Sequence, residues 1–183
     1  MTYSTWFKPG RRGLLAAVLV LLSSTGAVAQ DPYPVDPELI DIGRRYLETV
    51  YRFDFDQQAT FYTEDSVFED HTVDIFEQTW HFKGPDEIVG LFRDTLPETP
   101  LKVDVDIQDA FIVADRVHFY VHYHNTGDGT PMGVPGKEIT VTAKGFTILR
   151  IVDGKVLHHL DYIDYPGMFR QAGDQAGSSA STP

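Results

Sequence analysis

Three consecutive pieces, KEITVTAKGFTILRI (137–151), VDG (152–154) and KVLHHLDYIDYPGMFRQ (155–171), decide the architecture. The first piece and the start of the third alternate apolar and polar residues with the period of two that sends successive side chains to opposite faces of a sheet. Asp153-Gly154 between them is a hairpin turn signal. The second strand carries His158, His159, Asp161, Tyr162 and Asp164. The pair therefore reads as the wall of a sheet-lined pocket with acid–base groups at its mouth.

Upstream, Val103, Val105 and Ile107 alternate with Lys102, Asp104 and Asp106, Phe111 to Val113 continues that strand, Ala114-Asp115 turns, and Val117 to His124 returns. The stretch 125–136 holds four glycines and two prolines and reads as a loop. Further back the period becomes helical. Asp36-Pro37-Glu38 is a helix start, followed by Leu39, Ile42, Tyr46, Leu47 and Val50 at helical spacing. A short helix is expected from Asp54 or Asp56 to Tyr62, and a short strand from Val67 to Asp70. Gly84-Pro85-Asp86-Glu87 opens a third helix with Ile88, Leu91, Phe92 and Leu96 inward and Pro97 as its stop. Helices followed by an antiparallel meander predict an α+β fold, about three N-terminal helices packed on one face of a strongly curved antiparallel sheet.

The chain of 183 residues has no cysteine, which excludes a disulfide framework. Lys8, Arg11 and Arg12 precede the apolar run Leu14 to Leu22, and Ala27-Val28-Ala29 precedes Gln30. This is the pattern of a secretory signal over 1–29, so the mature protein is expected to be exported, periplasmic or secreted, with no stable membrane insertion once the signal is removed. Losing those three cations takes the formal charge from −12 to −15, which argues against a nucleic-acid partner. The expected order is a flexible segment 30–37, one domain 38–171 and a disordered Gly/Ser/Ala-rich tail 172–183.

The element order and several local signatures resemble the nuclear transport factor 2-like superfamily, in its SnoaL-like polyketide cyclase and ketosteroid isomerase branches. The residues that carry the resemblance are Arg45-Tyr46-Leu47, Phe61 to Asp70, Gly84 with its helix, Gly133 to Lys137 and Arg150 to Gln171. The resemblance implies a cone-shaped barrel with an apolar interior pocket, and a homodimer joined through the sheet. It also implies roles. Tyr46 matches the oxyanion donor and Asp70 the proton-moving acid of ketosteroid isomerases, while Asp161 matches the acid–base residue of a ring-closing aldol reaction in the cyclases. The isomerases' second oxyanion acid has no match in Ala143 to Thr147, and the cyclases' neighbouring histidine falls at Thr147.

Strand parity puts His159 beside Asp161, so the expected catalytic set is Tyr46, Asp70, His159 and Asp161. A carboxylate at an apolar pocket mouth gains basicity by desolvation, and a phenol aimed at a carbonyl oxygen stabilises an enolate. Among the many aromatics, Phe61, Trp80, Phe92, Phe119 and Phe146 are the expected lining for a small, flat hydrophobic ligand. His71 and His81 are candidate proton shuttles at the rim. His118, His122 and His124 share one strand face, and two such histidines can ligate a metal if a third ligand arrives, with His71 and Asp161 as candidates. No carboxylate sits at short spacing from them in the chain, so no metal is assigned and the face is expected to be a polar sheet surface, dimer surface or pocket wall. No serine elbow, P-loop or dinucleotide fingerprint is present, and no cofactor is expected. The sequence thus points to acid–base catalysis next to a carbonyl (isomerase, cyclase or dehydratase), with a non-catalytic lipophile-binding or interaction module as the alternative.

Overall fold

A computed structural model of the protein describes residues 36–95 and 101–177. The expected signal, residues 30–35, the Leu96-Pro97 helix stop and residues 178–183 lie outside the described residues.

Helix α1 (Pro37–Tyr51) begins as its sequence requires, with Asp36 accepting a hydrogen bond from the Glu38 N–H at 2.9 Å and proline in the first turn. Its buried stripe is Ile42, Gly43, Tyr46, Leu47 and Val50. Asp54 caps α2 (Phe55–Ala59). Strand β1 (Val67–Asp70), a 3₁₀ helix (His71–Phe76) and β2 (Trp80–Lys83) lead into α3 (Gly84–Asp94). The meander follows as β3 (Lys102–Val113), β4 (Arg116–Asp128), β5 (Glu138–Val152) and β6 (Lys155–Ile163). Strand β4 outruns its expected end at His124, and a 3₁₀ turn (Thr130–Met132) occupies the glycine-rich connection.

The α+β expectation holds: helices pack against a curved, unclosed six-stranded sheet of order β2-β1-β6-β5-β4-β3. One pairing departs from it. Strand β1 runs parallel to β6, so the sheet is mixed rather than antiparallel. The meander leaves the outer edge of β6 open, and the earlier β1–β2 hairpin docks there. Alternation along a strand fixes which residues share a face but neither the partner strand nor its direction.

Register shifts between Ile107 and Asp109 and between Arg150 and Ile151 break the ladders with bulges, which increase local twist and bend. The concave face turns Val117, Phe119, Val121 and Tyr123 of β4 toward the helices, together with Val141, Ala143, Thr147 and Leu149 of β5.

A second departure lies at the C-terminus, where α4 (Tyr165–Gly177) covers the first half of the expected tail. Met168 and Ala172 are buried, and the Gln171 side chain accepts from Thr142 N at 2.9 Å and donates to Thr142 O at 2.8 Å. Glycine and alanine in this segment read as a loop because local propensity is weak there. Packing on β5 overrides it.

Gly43 sets the approach of α1 to the sheet. A Cβ at this position would lie 2.6 Å from Cε2 and Cζ of the fully buried Phe119. Gly43→Ala is therefore expected to lose about 1–3 kcal/mol by overpacking, outweighing the up to ~1 kcal/mol gained in helix propensity. Urea unfolding checks this, and a variant at least as stable as the parent contradicts it.

Candidate active site

The parallel pairing of β1 with β6 builds the site. Its register sets Asp70 beside Asp161 and Phe68 beside His159. Both carboxylates border a cavity of about 330 Å³ whose apolar wall includes Phe68, Trp80, Phe92, Met132, Ile163 and Met168. Tyr51, Thr95, Tyr123, Asn125 and Tyr165 are neutral polar groups on that wall. A larger groove of about 510 Å³ beside the end of α1 and the start of β3 is lined by Glu48, Arg52, Lys102 and Asp104. It holds neither buried carboxylate, so the smaller cavity is the candidate site.

Asp70 is heavily engaged. Its Oδ1 accepts from Thr72 N at 2.7 Å and from Thr72 Oγ1 at 2.5 Å, and its Oδ2 accepts from Tyr165 OH at 2.7 Å. Asp161 is held on one side only. Its Oδ1 accepts a short hydrogen bond from Thr147 and lies 3.0 Å from His159 Nε2, off the direction of a good hydrogen bond. Its Oδ2 has no hydrogen-bond partner among the described residues.

Behind the wall runs a hydrogen-bonded chain. Gln58 Nε2 donates to Tyr62 OH at 2.9 Å, Tyr62 OH and Tyr46 OH are bonded at 2.7 Å, and Tyr46 OH is bonded to His159 Nδ1 at 2.7 Å. A second chain, from Tyr123 OH to Thr147 Oγ1 at 2.7 Å, supports the Thr147 proton on Asp161.

These phenols stay protonated. Burial pushes the Tyr46 pKa well up, helped by Tyr62, and burial also raises Tyr62. For Tyr123 the charge of Asp161 adds to burial, and for Tyr165 the charge of Asp70 does so. The site thus surrounds its two acids with neutral donors.

Of the expected catalytic residues, Asp70 and Asp161 reach the cavity. Tyr46 and His159 are both 0 % exposed and stand behind it, so the Tyr46 hydroxyl is committed to Tyr62 and His159 rather than offered to a ligand. This corrects its expected place as an oxyanion donor. Trp80 and Phe92 line the cavity as expected. Phe61 packs edge-on to Tyr46 and faces a separate groove with Arg45 and Gln57, Phe119 is core beneath Gly43, and Phe146 is 41 % exposed on the convex face against Tyr120. Parity explains Phe146, because its neighbours Gly145 and Thr147 point inward.

Sequence reasoning missed Tyr123, Thr147, Tyr165, Tyr62 and Gln58. A usable signal existed for Tyr123. The apolar parity Val117, Phe119, Val121 marks the inner face, and Tyr123 continues it, which sends His118, His122 and His124 to the convex side. Neither His71 nor Asp161 approaches those histidines.

His71 and His81 line an adjoining cleft that shares Asp70 and Trp80, and both turn to Glu69. Glu69 also takes a hydrogen bond from His158 Nε2 at 2.7 Å, while Arg116 Nη1 lies 3.1 Å from His158 Nδ1. The His81 hydrogen bond, backed by His158, holds the Glu69 carboxyl below the usual range. Burial, with the Arg116 charge, pulls His158 below 6.5 despite Glu69.

The fold is the cone-shaped α+β architecture of the nuclear transport factor 2-like class. The profile of the SnoaL-like polyketide cyclase family matches residues 40–172, and the chain belongs to that family. It is 30% identical over 88 residues to nogalonic acid methyl ester cyclase of Streptomyces nogalater; the match covers 48% of this chain and only 63% of the length of that relative. A SnoaL-like polyketide cyclase structure from Shewanella putrefaciens superposes with a TM-score of 0.67 at 26% identity, over 77% of this chain and all of that one. A ketosteroid isomerase-like protein from Catenulispora acidiphila, solved with trimethylamine, superposes with a TM-score of 0.57 at 20% identity over 76% of this chain and 95% of its own, a likeness of fold alone.

The shift at His158 has a defined sign. A histidine whose folded pKa is depressed contributes stability that is present above the unfolded value and lost as pH falls. The His158 imidazole is expected to titrate below 6.5, its contribution fading as pH drops through that value, with Glu69 adding a further loss below about 4.5. NMR titration of the imidazole protons checks this, and a His158 midpoint above 6.5 refutes it.

Proposed function

We propose that this SnoaL-like protein binds a small flat hydrophobic carbonyl compound and catalyses proton abstraction at the carbon next to that carbonyl, with Asp161 as general base. The observation that carries the reading is the asymmetry of Asp161: one carboxylate oxygen is held by Thr147 and faces His159, and the other has no partner on the wall of an apolar cavity. Asp70, with three donors on it, is the poorer base and is assigned to shaping the site with Tyr165. Of the two roles that the resemblance implies, this reading keeps the acid–base role of Asp161 and not the proton-moving role of Asp70.

The cavity is at the small end of the usual range for ligand sites, which favours compact substrates. Asp161 takes the C–H proton, and the enolate oxygen finds the Asn125 amide on the same wall, one of whose N–H groups is held by Tyr123 O and the other left for a ligand. If the enolate carbon attacks a second carbonyl of the same molecule, a C–C bond forms and the new alkoxide recovers a proton from Asp161. Atoms and electrons balance without a redox partner, and the net change is a ring closure. The name of the Streptomyces relative supports this direction. We also propose export after removal of residues 1–29, which N-terminal sequencing from Gln30 tests.

The non-catalytic alternative draws on one observation, that Tyr46 and His159 are sealed behind the wall. Deuterium exchange separates the two readings without knowledge of the product. Incubated in D₂O with nogalonic acid methyl ester and related aromatic keto esters, the protein is expected to catalyse label uptake at the carbon next to the carbonyl. Asp161→Asn lowers the rate at least ~100-fold and Asp70→Asn much less. Tight ligand retention without exchange would instead favour the carrier.

The convex sheet face exposes Phe111, Phe146 and Tyr162, an apolar surface on which we propose that a second copy packs. Light scattering is expected to give a dimer for the parent chain and a monomer for Phe146→Glu with Tyr162→Glu. A monomeric parent refutes the assignment.

A further inference from the structure

The strand histidines that take no part in the cavity find a carboxylate across the ladder. In the β3–β4 register Asp106 is the direct partner of His122, and His124 follows two residues on, so all three side chains share the convex face. Their ligand atoms lie within 4.8 Å of one another. From this geometry we infer that Asp106, His122 and His124 form a binding site for a borderline divalent transition metal ion of the zinc type.

Each of the three side chains uses one polar atom on a neighbour and keeps another available. Asp106 Oδ2 accepts from Gln108 Nε2 at 2.6 Å, leaving Oδ1. His122 Nε2 lies 3.2 Å from Tyr120 OH, leaving Nδ1, and His124 Nδ1 lies 3.0 Å from Thr142 Oγ1, leaving Nε2. Outer partners of this kind orient metal-binding imidazoles and carboxylates. The bulge between Ile107 and Asp109 has Gln108 as its unpaired residue, two positions after Asp106, at the point where a strand re-aims a side chain. Bonds of about 2.0–2.1 Å around a tetrahedral ion bring ligand atoms to roughly 3.4 Å apart, so closure from within 4.8 Å needs each pair to approach by at most about 1.4 Å. Asp106 is exposed and both histidines are only partly buried, which leaves that freedom.

Two imidazoles with one carboxylate favour zinc, cobalt, nickel or copper over magnesium and calcium, which prefer oxygen ligands. Three protein ligands leave a position open to water or to a donor from another molecule. The surrounding charges are Asp104, paired across from His124 and held by Lys102 at 2.6 Å, and Lys144, paired across from His122 on β5. The site lies on the opposite sheet face from the cavity, so it is independent of the catalytic reading.

The test uses the untagged full chain, stripped with a chelator and titrated with Co²⁺ while visible d–d absorption and binding heat are followed. One equivalent is expected to bind with the bands of a low-coordinate N/O site. His124→Gln or Asp106→Asn weakens binding at least ~100-fold, and Thr142→Val about tenfold, as loss of an outer partner does. His81→Gln, which alters the other histidine cluster around Glu69, leaves it unchanged. Circular dichroism of the metal-free variants verifies that they fold. Absence of stoichiometric Co²⁺ binding, retention in His124→Gln, or loss in His81→Gln overturns the site.

Discussion

Two carboxylates buried side by side are the constraint around which this interior is arranged. The parallel pairing of β1 with β6 brings Asp70 and Asp161 to adjacent positions on one cavity wall, and two like charges taken out of water repel and each lose hydration worth several kcal/mol. Much of the interior is arranged to offset that. Thr72 and Tyr165 donate to Asp70, Thr147 donates to Asp161, and Tyr123 stands behind Thr147. The same arrangement suits the proposed chemistry, because donors fixed before a ligand arrives need no reorganisation when charge moves.

The helices serve that wall. Helix α1 approaches the sheet closely through Gly43 and thereby delivers Tyr46 to His159, at the end of a hydrogen-bonded chain that begins at Gln58. Helix α4, contributed by a segment with weak helical preference, brings Tyr165 to Asp70 and closes the cavity with Met168. An element at each end of the domain is therefore required before either acid is properly surrounded. The convex face is chemically separate, with aromatic residues exposed beside histidines that face away from the cavity.

Much of this was legible in the chain. Caps at Asp36 and Asp54, prolines in the first turns of α1 and α3, and strict alternation through β3 to β6 state their own elements, because each depends on neighbours in sequence. Asp70 and Asp161 were legible as acids at strand ends. Their relative burden of hydrogen bonds was not: the Thr72 cap on Asp70 is local, but Tyr165 reaches Asp70 and Thr147 reaches Asp161 across separations that no local pattern encodes. Phe146 was misplaced for a different reason: aromatic content alone does not distinguish the two faces of a strand, whereas the parity of its neighbours does.

By itself, then, the sequence determined the α+β class, the boundaries of most elements and which residues travel together on each strand face, because backbone geometry makes these local properties of period and capping. Tertiary structure alone decided that β1 runs parallel beside β6, that 172–177 is helical, that Tyr46 is sealed behind the wall, and that Asp106 faces His122. Each of these turns on which surfaces meet, and register and docking are set by burial summed over distant segments rather than by any one segment's own preference.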